Sequence, residues 1–161
     1  MRGGIPTALL AFITYIIFTG STTPYDLVTG VVVAVIIGLL LGKFLVKNDI
    51  KAFNPLRWAW GVVYFLWYFF VAEVKAHLDV IGKIITGNFE PGIVKIPLKL
   101  KSEYARTLVA NSITNTPGTV VVDADEKYLY VNWINVTTEE PEEAKKKICE
   151  EFEKFAERIF E

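Results

Sequence analysis

What most constrains this chain is a set of long stretches without charge. No charged side chain occurs from Ile5 to Thr19. None occurs from Leu27 until Lys43 in the run that ends at Val46, and Arg57 alone interrupts Leu56 to Ala72. Hydrocarbon offers no partner to a backbone N–H or C=O, so an apolar run that enters it must be helical. At ~1.5 Å of rise per residue, a full span takes ~20 apolar residues. The second run meets that length. The first and third are at its lower limit and need polar anchors or a thinned bilayer. The sequence therefore predicts a membrane protein with an N-terminal helical region of two to three helices: residues 1–52 as a helical hairpin and 53–87 as an aromatic membrane or interfacial helix. Arg2 before the first run resembles a signal-peptide start, but no small-x-small cleavage site follows, so the run is expected to be retained.

Charge divides the chain. Residues 1–72 carry five basic and two acidic side chains, a net +3, and residues 73–161 carry 12 and 16, a net −4. A greasy, slightly basic front before a polar, acidic rear reads as an anchor followed by a water-facing domain. The overall charge of −1 argues against a nucleic-acid partner. A single cysteine, Cys149, excludes an internal disulfide or a multi-cysteine metal centre, and a single histidine, His77, excludes a paired-histidine zinc site. There is no glutamine, one Met and an excess of Lys and Glu, a bias that fits a hyperthermophile.

The joints are legible as polar turns at Gly20–Asp26 and Asn48–Pro55, with Pro55 where a helix tolerates it best. Gly30, Gly38 and Gly42 mark one side of the second run. The pair Gly38 and Gly42 is expected to admit a close helix neighbour. Trp58, Trp60, Tyr64, Phe65, Trp67, Tyr68, Phe69 and Phe70 go round the third run, which reads as apolar on every side until Glu73. Beyond it, Glu73–His77 and Asp79–Lys83 are i,i+4 pairs on a helix that emerges from the apolar zone. The basic residues of the front half sit at the amino terminus and in the 43–57 joint, which the positive-inside rule makes cytoplasmic. Hydropathy favours a third crossing, which would put the rear domain outside.

Residues 88–161 predict a small α+β domain in the order β-α-β-β-α. Gly87-Asn88 and Pro91-Gly92 punctuate the entry. Ile93–Lys101 alternates, with Val94, Ile96, Leu98 and Leu100 on one face and Pro97 pushing the strand to an edge. Ser102 is placed to cap a helix to Ile113. Val120–Val122 and Tyr128–Val136 read as a hairpin, and Thr137 or Thr138 with Pro141 opens one last helix through Ile159, its charges a solvated face.

Little here bears chemistry, and no catalytic, cofactor or metal site is expected. Glu73, His77 and Asp79 near the membrane edge are candidates for a proton relay, since ionisable groups at that depth are functional by default. The plainer reading is an interfacial helix with local ion pairs. Asp123, Asp125 and Glu126 lack the spacing of a calcium loop. Cys149 beside Lys145, Lys146 and Lys147 has neighbours that lower a thiol pKa, yet it falls on the apolar side of its helix. No glycine-rich phosphate loop occurs.

The stretch Ala110-Asn111-Ser112-Ile113-Thr114-Asn115-Thr116-Pro117-Gly118-Thr119 resembles the signature of the E-type subunit of multisubunit Mrp/Mnh-type Na+/H+ antiporters. Glu73–Val80, Pro91–Val94 and the layout of the whole chain agree with it. Two positions depart: Asn115 stands where that family more often has an apolar residue, usually Leu, and His77 where it often has Asn. The resemblance implies a structural role for Asn111, Ser112, Thr114, Thr116, Pro117, Gly118 and Thr119. It also implies an accessory component of a multi-pass membrane complex, with other membrane subunits and the lipid bilayer as partners and the rear domain in the cytoplasm. The same module occurs in archaeal membrane-bound hydrogenases and related respiratory complexes, so the resemblance leaves antiporter and hydrogenase open. It also leaves open whether Glu73, His77 and Asp79 titrate on the ion path of a stand-alone antiporter.

Overall fold

The structure is a computed structural model that describes residues 3–87 and 89–161; Arg2 and Asn88, named above, lie outside them. It comprises two compact units, one ending at Pro55 and the other Leu56–Glu161.

The first unit is an antiparallel helical hairpin. Helix α1 (Gly4–Thr19) and helix α2 (Pro24–Leu45) pack along their lengths, and a single turn, α3 (Asp49–Ala52), closes the unit. The turn between the two helices is stopped and started by its own residues. Thr23 accepts from the N–H of Asp26 and its hydroxyl donates to the Asp26 carboxylate at 2.6 Å, with Pro24 at the first helical position. At the other end, Asp49 Oδ1 accepts from the Gly3 N–H at 2.6 Å, a carboxylate set at the positive end of α1.

The buried residues of α2 are Gly30, Ala34, Gly38 and Gly42, a small residue at every fourth position. A Cβ on Gly38 would stand 2.6 Å from Gly4 O and 2.8 Å from the Ala8 Cβ, and one on Gly42 would stand 2.6 Å from the Gly4 Cα. The helix that approaches the glycine face is therefore α1 of the same chain. Ala34, which is not a glycine and so did not stand out, continues the stripe. The outward faces stay apolar and uncovered, as at Leu10, Val32, Leu40 and Phe18. By length and composition α2 suffices to cross a membrane, whereas α1, at 16 residues, is short.

A continuous helical stretch, Pro55–Thr86, leads into the second unit and is also long and apolar enough to cross. It runs as α4 (Pro55–Trp67), a π-helical turn (Tyr68–Ala72) and α5 (Glu73–Thr86). Then come β1 (Gly92–Pro97), α6 (Glu103–Asn115), β2 (Thr119–Ala124), β3 (Tyr128–Trp133), α7 (Pro141–Ile148) and α8 (Glu150–Phe160). The antiparallel sheet has the order β1-β3-β2, so β1 with Pro97 is an edge, as expected of a strand that lacks one donor. The core joins Val94 and Ile96 of β1, Val109 and Ile113 of α6, Leu129 and Val131 of β3, and Phe152 and Ala156 of α8.

Three local expectations change. The alternation of Ile93–Lys101 buries Val94, Ile96, Leu98 and Leu100 as read, but the ladder stops at Pro97. Beyond it, Lys99 N donates to Glu153 Oε1 at 3.1 Å and Lys101 N to Glu161 Oε1 at 2.6 Å, so carboxylates replace the missing strand. Ser102 sits at the N-cap of α6 without a side-chain cap bond; its N–H is taken by Glu161 at 3.0 Å. The last helix is two helices. The residue that opens it is Glu140, with Thr138 Oγ1 accepting from its N–H at 3.2 Å, and the helix breaks at Cys149, where φ is −134°.

That break turns α8 back so that Glu153 reaches Lys145 at 2.5 Å, both nearly buried, an exception to the solvated face expected there. It also buries Cys149. Burial pushes the thiol up to about 12, the carboxylate of Glu153 adding to it and Lys145 opposing it. The neighbouring lysines thus do not activate it. Cys149 of the folded chain is expected to stay unmodified by a maleimide at pH 8 and to react only on denaturation, which mass spectrometry reads; labelling at the unfolded rate would contradict this packing.

Candidate functional site

The helix predicted to be apolar on every side has one face committed to the rear domain. Tyr64, Trp67, Tyr68 and Ala72 pack on its core. Trp67 meets Phe155 and Phe152 at centroid distances of 5.0 and 5.8 Å, Tyr64 meets Phe155 at 5.4 Å, and the Arg158 guanidinium lies 4.3 Å over Trp60. The other face is bare: Val62, Phe65, Phe70, Ile84 and Ile85 are all more than half exposed. Glu151, Lys154 and Glu157 of α8 are solvent-exposed on a helix that lies against α4.

Hydroxyls line the contact of that packed face with α6. Ser112 donates to Leu108 O at 2.6 Å, which leaves its oxygen to accept from Tyr64 OH. Thr116 donates to Ser112 O at 2.7 Å and lies 3.5 Å from Tyr68 OH, which donates to Glu73 Oε1. Tyr64 and Tyr68 are four apart, as are Ser112 and Thr116. Both contacts join residues 48 apart, so the aromatic helix and α6 run parallel here in fixed register. The two tyrosines give the aromatic helix a narrow polar seam. Its sequence signal was a hydroxyl pair at i,i+4 matched by a second such pair in the 110–119 stretch.

The rest of that stretch is spent on its own backbone. Thr119 Oγ1 donates to Ile113 O at 2.8 Å, and Thr114 Oγ1 accepts from Val121 N at 3.3 Å. Gly118 has φ +93°, and a Cβ there would stand 3.1 Å from Ile134 and 3.2 Å from Val80. Pro117 precedes it in the turn, and Asn111 is exposed on α6.

Glu73 and His77 come together and Asp79 does not join them. His77 Nδ1 is 2.8 Å from Glu73 O and 3.4 Å from Glu73 Oε2, an ion pair only when the ring is protonated. Asp79 pairs with Lys83 instead. Six residues of helix turn Asp79 roughly 120° away from Glu73, so one relay cannot run along one face through all three. Glu73 and His77 open on a groove of about 700 Å³ with Phe69, Val74 and Leu78 in its walls. Asn115 borders it too, so both positions that depart from the resemblance line one depression. The π turn lies at its upper end; such turns widen a helix by one residue and recur at functional sites.

Among the described residues no group of three or more His, Cys, Asp or Glu is placed to hold a metal. Asp125 is used by the hairpin: its Oδ1 accepts from Lys127 N at 2.7 Å and Tyr128 N at 2.8 Å, and these donors, Lys127 first, hold its pKa below the usual range.

The comparisons with known proteins agree with this layout. The family model of MNHE, a Na+/H+ ion antiporter subunit, matches residues 8–159. The chain belongs to this antiporter subunit family. It is 33% identical over 136 residues to the E-type Na+/H+ antiporter protein of Alkalihalophilus pseudofirmus, covering 82% of this chain and 83% of that one. It is 34% identical over 140 residues to the E1-type protein of Staphylococcus haemolyticus, covering 83% of each. Its fold matches a chain of the membrane-bound sulfane sulfur reductase, an archaeal respiratory membrane complex, with a TM-score of 0.88, 28% identity and coverage of 99% and 100%. The family and the fold are those of a membrane protein, and the relatives are named as subunits of Na+/H+ antiporters.

Proposed function

We propose that this MNHE-family chain is a non-catalytic assembly element of a cation/proton exchange module carried by an archaeal membrane-bound hydrogenase or a related respiratory complex. One observation carries the reading. The aromatic helix is latched to its own domain by Tyr64, Tyr68 and Trp67 and offers a bare apolar face on the opposite side. An uncovered apolar face of that length is unfavourable in water and calls for lipid or sister subunits. The fit to a chain of an archaeal respiratory complex over nearly its whole length supports that setting.

The same packing argues that Pro55–Thr86 lies along the membrane surface. A crossing would take α8, with Glu151, Lys154 and Glu157 beside it, into hydrocarbon, at a cost of several kcal/mol. The rear domain then stays on the side of the basic 43–57 joint, the cytoplasm. The partners are other membrane subunits and the bilayer, and the three regions 1–52, 53–87 and 88–161 act as anchor, surface helix and cytoplasmic brace.

A second reading has Glu73, His77 and Asp79 carrying protons. The Glu73–His77 pair favours it and the separate Asp79–Lys83 pair opposes it. Neutral replacements Glu73→Gln, His77→Asn and Asp79→Asn in the assembled complex distinguish the two. Exchange per assembled complex is expected to stay within about twofold, since no barrier-lowering group is removed. A fall of a hundredfold with any of them would overturn the assembly-only reading.

A further inference from the structure

The groove at the π turn has a composition that the latch does not require. Phe69, Val74 and Leu78 supply apolar walls, and three polar side chains, Glu73, His77 and Asn115, converge on them from two helices. Glu73 is fixed in place: Tyr68 donates to one oxygen, and the side chain is only 19% exposed. Its other oxygen faces His77, whose Nδ1 is engaged with Glu73 O of the same helix. A carboxylate that lines a mostly apolar groove is complementary to a cation brought by a partner.

We infer that this groove receives a basic side chain, arginine by preference, from an apolar helix of a sister membrane subunit. Arginine fits better than lysine because its flat fork can give two N–H groups to the carboxylate and others to the Asn115 carbonyl oxygen. The apolar walls take the flanking residues of the same helix, and the bare face of the aromatic helix continues the contact. Docking of this kind holds only if the chain works inside such a complex, as proposed above.

The test uses the complex purified through a tag on this chain, with p-benzoylphenylalanine in place of Leu78, a residue 64% exposed at the groove. After irradiation, mass spectrometry should find the adduct on a membrane-subunit peptide with an Arg or Lys among apolar residues. Glu73→Lys should lower that adduct about tenfold or more, as loss of a desolvated charge pair does. Tyr68→Phe keeps the charge while removing the support beneath it, and should retain most of the adduct. That control separates the charge from simple disruption of the latch. An adduct on lipid alone, on this chain, or on a peptide without a basic residue overturns the groove proposal and leaves the assembly reading intact. So does an adduct unchanged by Glu73→Lys. Failure of the unmodified chain to bring down any partner overturns both.

Discussion

Glu153→Ala is expected to be the most damaging single substitution in the rear domain, at about 3–5 kcal/mol. Glu153 serves two elements at once. It pairs with Lys145 of α7 at 2.5 Å and accepts from the N–H of Lys99, beyond the end of β1, at 3.1 Å. Removing it leaves a lysine side chain that is 9% exposed without its partner, while the exposed Lys99 amide passes to water. The desolvation cost of the lysine remains after its compensating interaction has gone. Removing the two charges together should be far milder: Lys145→Met with Glu153→Leu is expected to retain most of the stability, since a packed apolar pair needs no compensation. Unfolding of the full chain in detergent, followed by tryptophan fluorescence, reads both. A loss under about 1 kcal/mol for Glu153→Ala, or equal losses for the single and the double change, would falsify the claim that the pair is buried and mutually dependent.

The second large effect belongs to the hairpin. Gly38→Leu and Gly42→Leu should each force α1 and α2 apart and lower the yield of assembled complex about tenfold or more. The reason is the kind of atom in the way. A Cβ at Gly42 meets the Gly4 Cα and N at 2.6 and 2.7 Å and the Gly3 carbonyl carbon at 2.9 Å. These are backbone atoms, and no rotamer change moves them. Alanine should also be harmful there, against its better helix propensity. At Gly82, where nothing lies within 4 Å of a Cβ, alanine should stabilise by up to about 1 kcal/mol. Co-purification with partner subunits measures the first pair and thermal unfolding the second. Normal yield from Gly42→Leu would mean that α1 is not the neighbour of this face in the membrane.

The two effects trace how much of the molecule its sequence disclosed. The glycine stripe was readable because small residues repeat every fourth position, and helix periodicity alone puts them on one side. What it could not name was the neighbour, which is α1 of the same chain. The pair Lys145–Glu153 was hidden by the opposite failure. Eight residues separate them, a spacing that puts both on nearly one face of a single helix but far apart along it. The break at Cys149 folds α7 and α8 against each other, and nothing in the local alternation announces that break. In the candidate site, the stretch 110–119 stood out by its residues, and its partner seam of Tyr64 and Tyr68 did not. Two hydroxyls on a helix dense in aromatics barely change its hydropathy.

The sequence by itself determined which segments are apolar enough to leave water. Uncharged runs of helical length and alternating strands are local patterns, and burial energy scales with the side chains present in each. The order of the rear domain's elements is legible for the same reason, up to the split of the last helix at Cys149. Only the tertiary structure decided what the aromatic helix faces. Lipid, a sister subunit and the chain's own core are almost equally apolar, so hydropathy has one value for all three. The choice was made by directional bonds between residues 48 apart, Tyr64 with Ser112 and Tyr68 with Thr116, and by the aromatic contacts of Trp67 with α8.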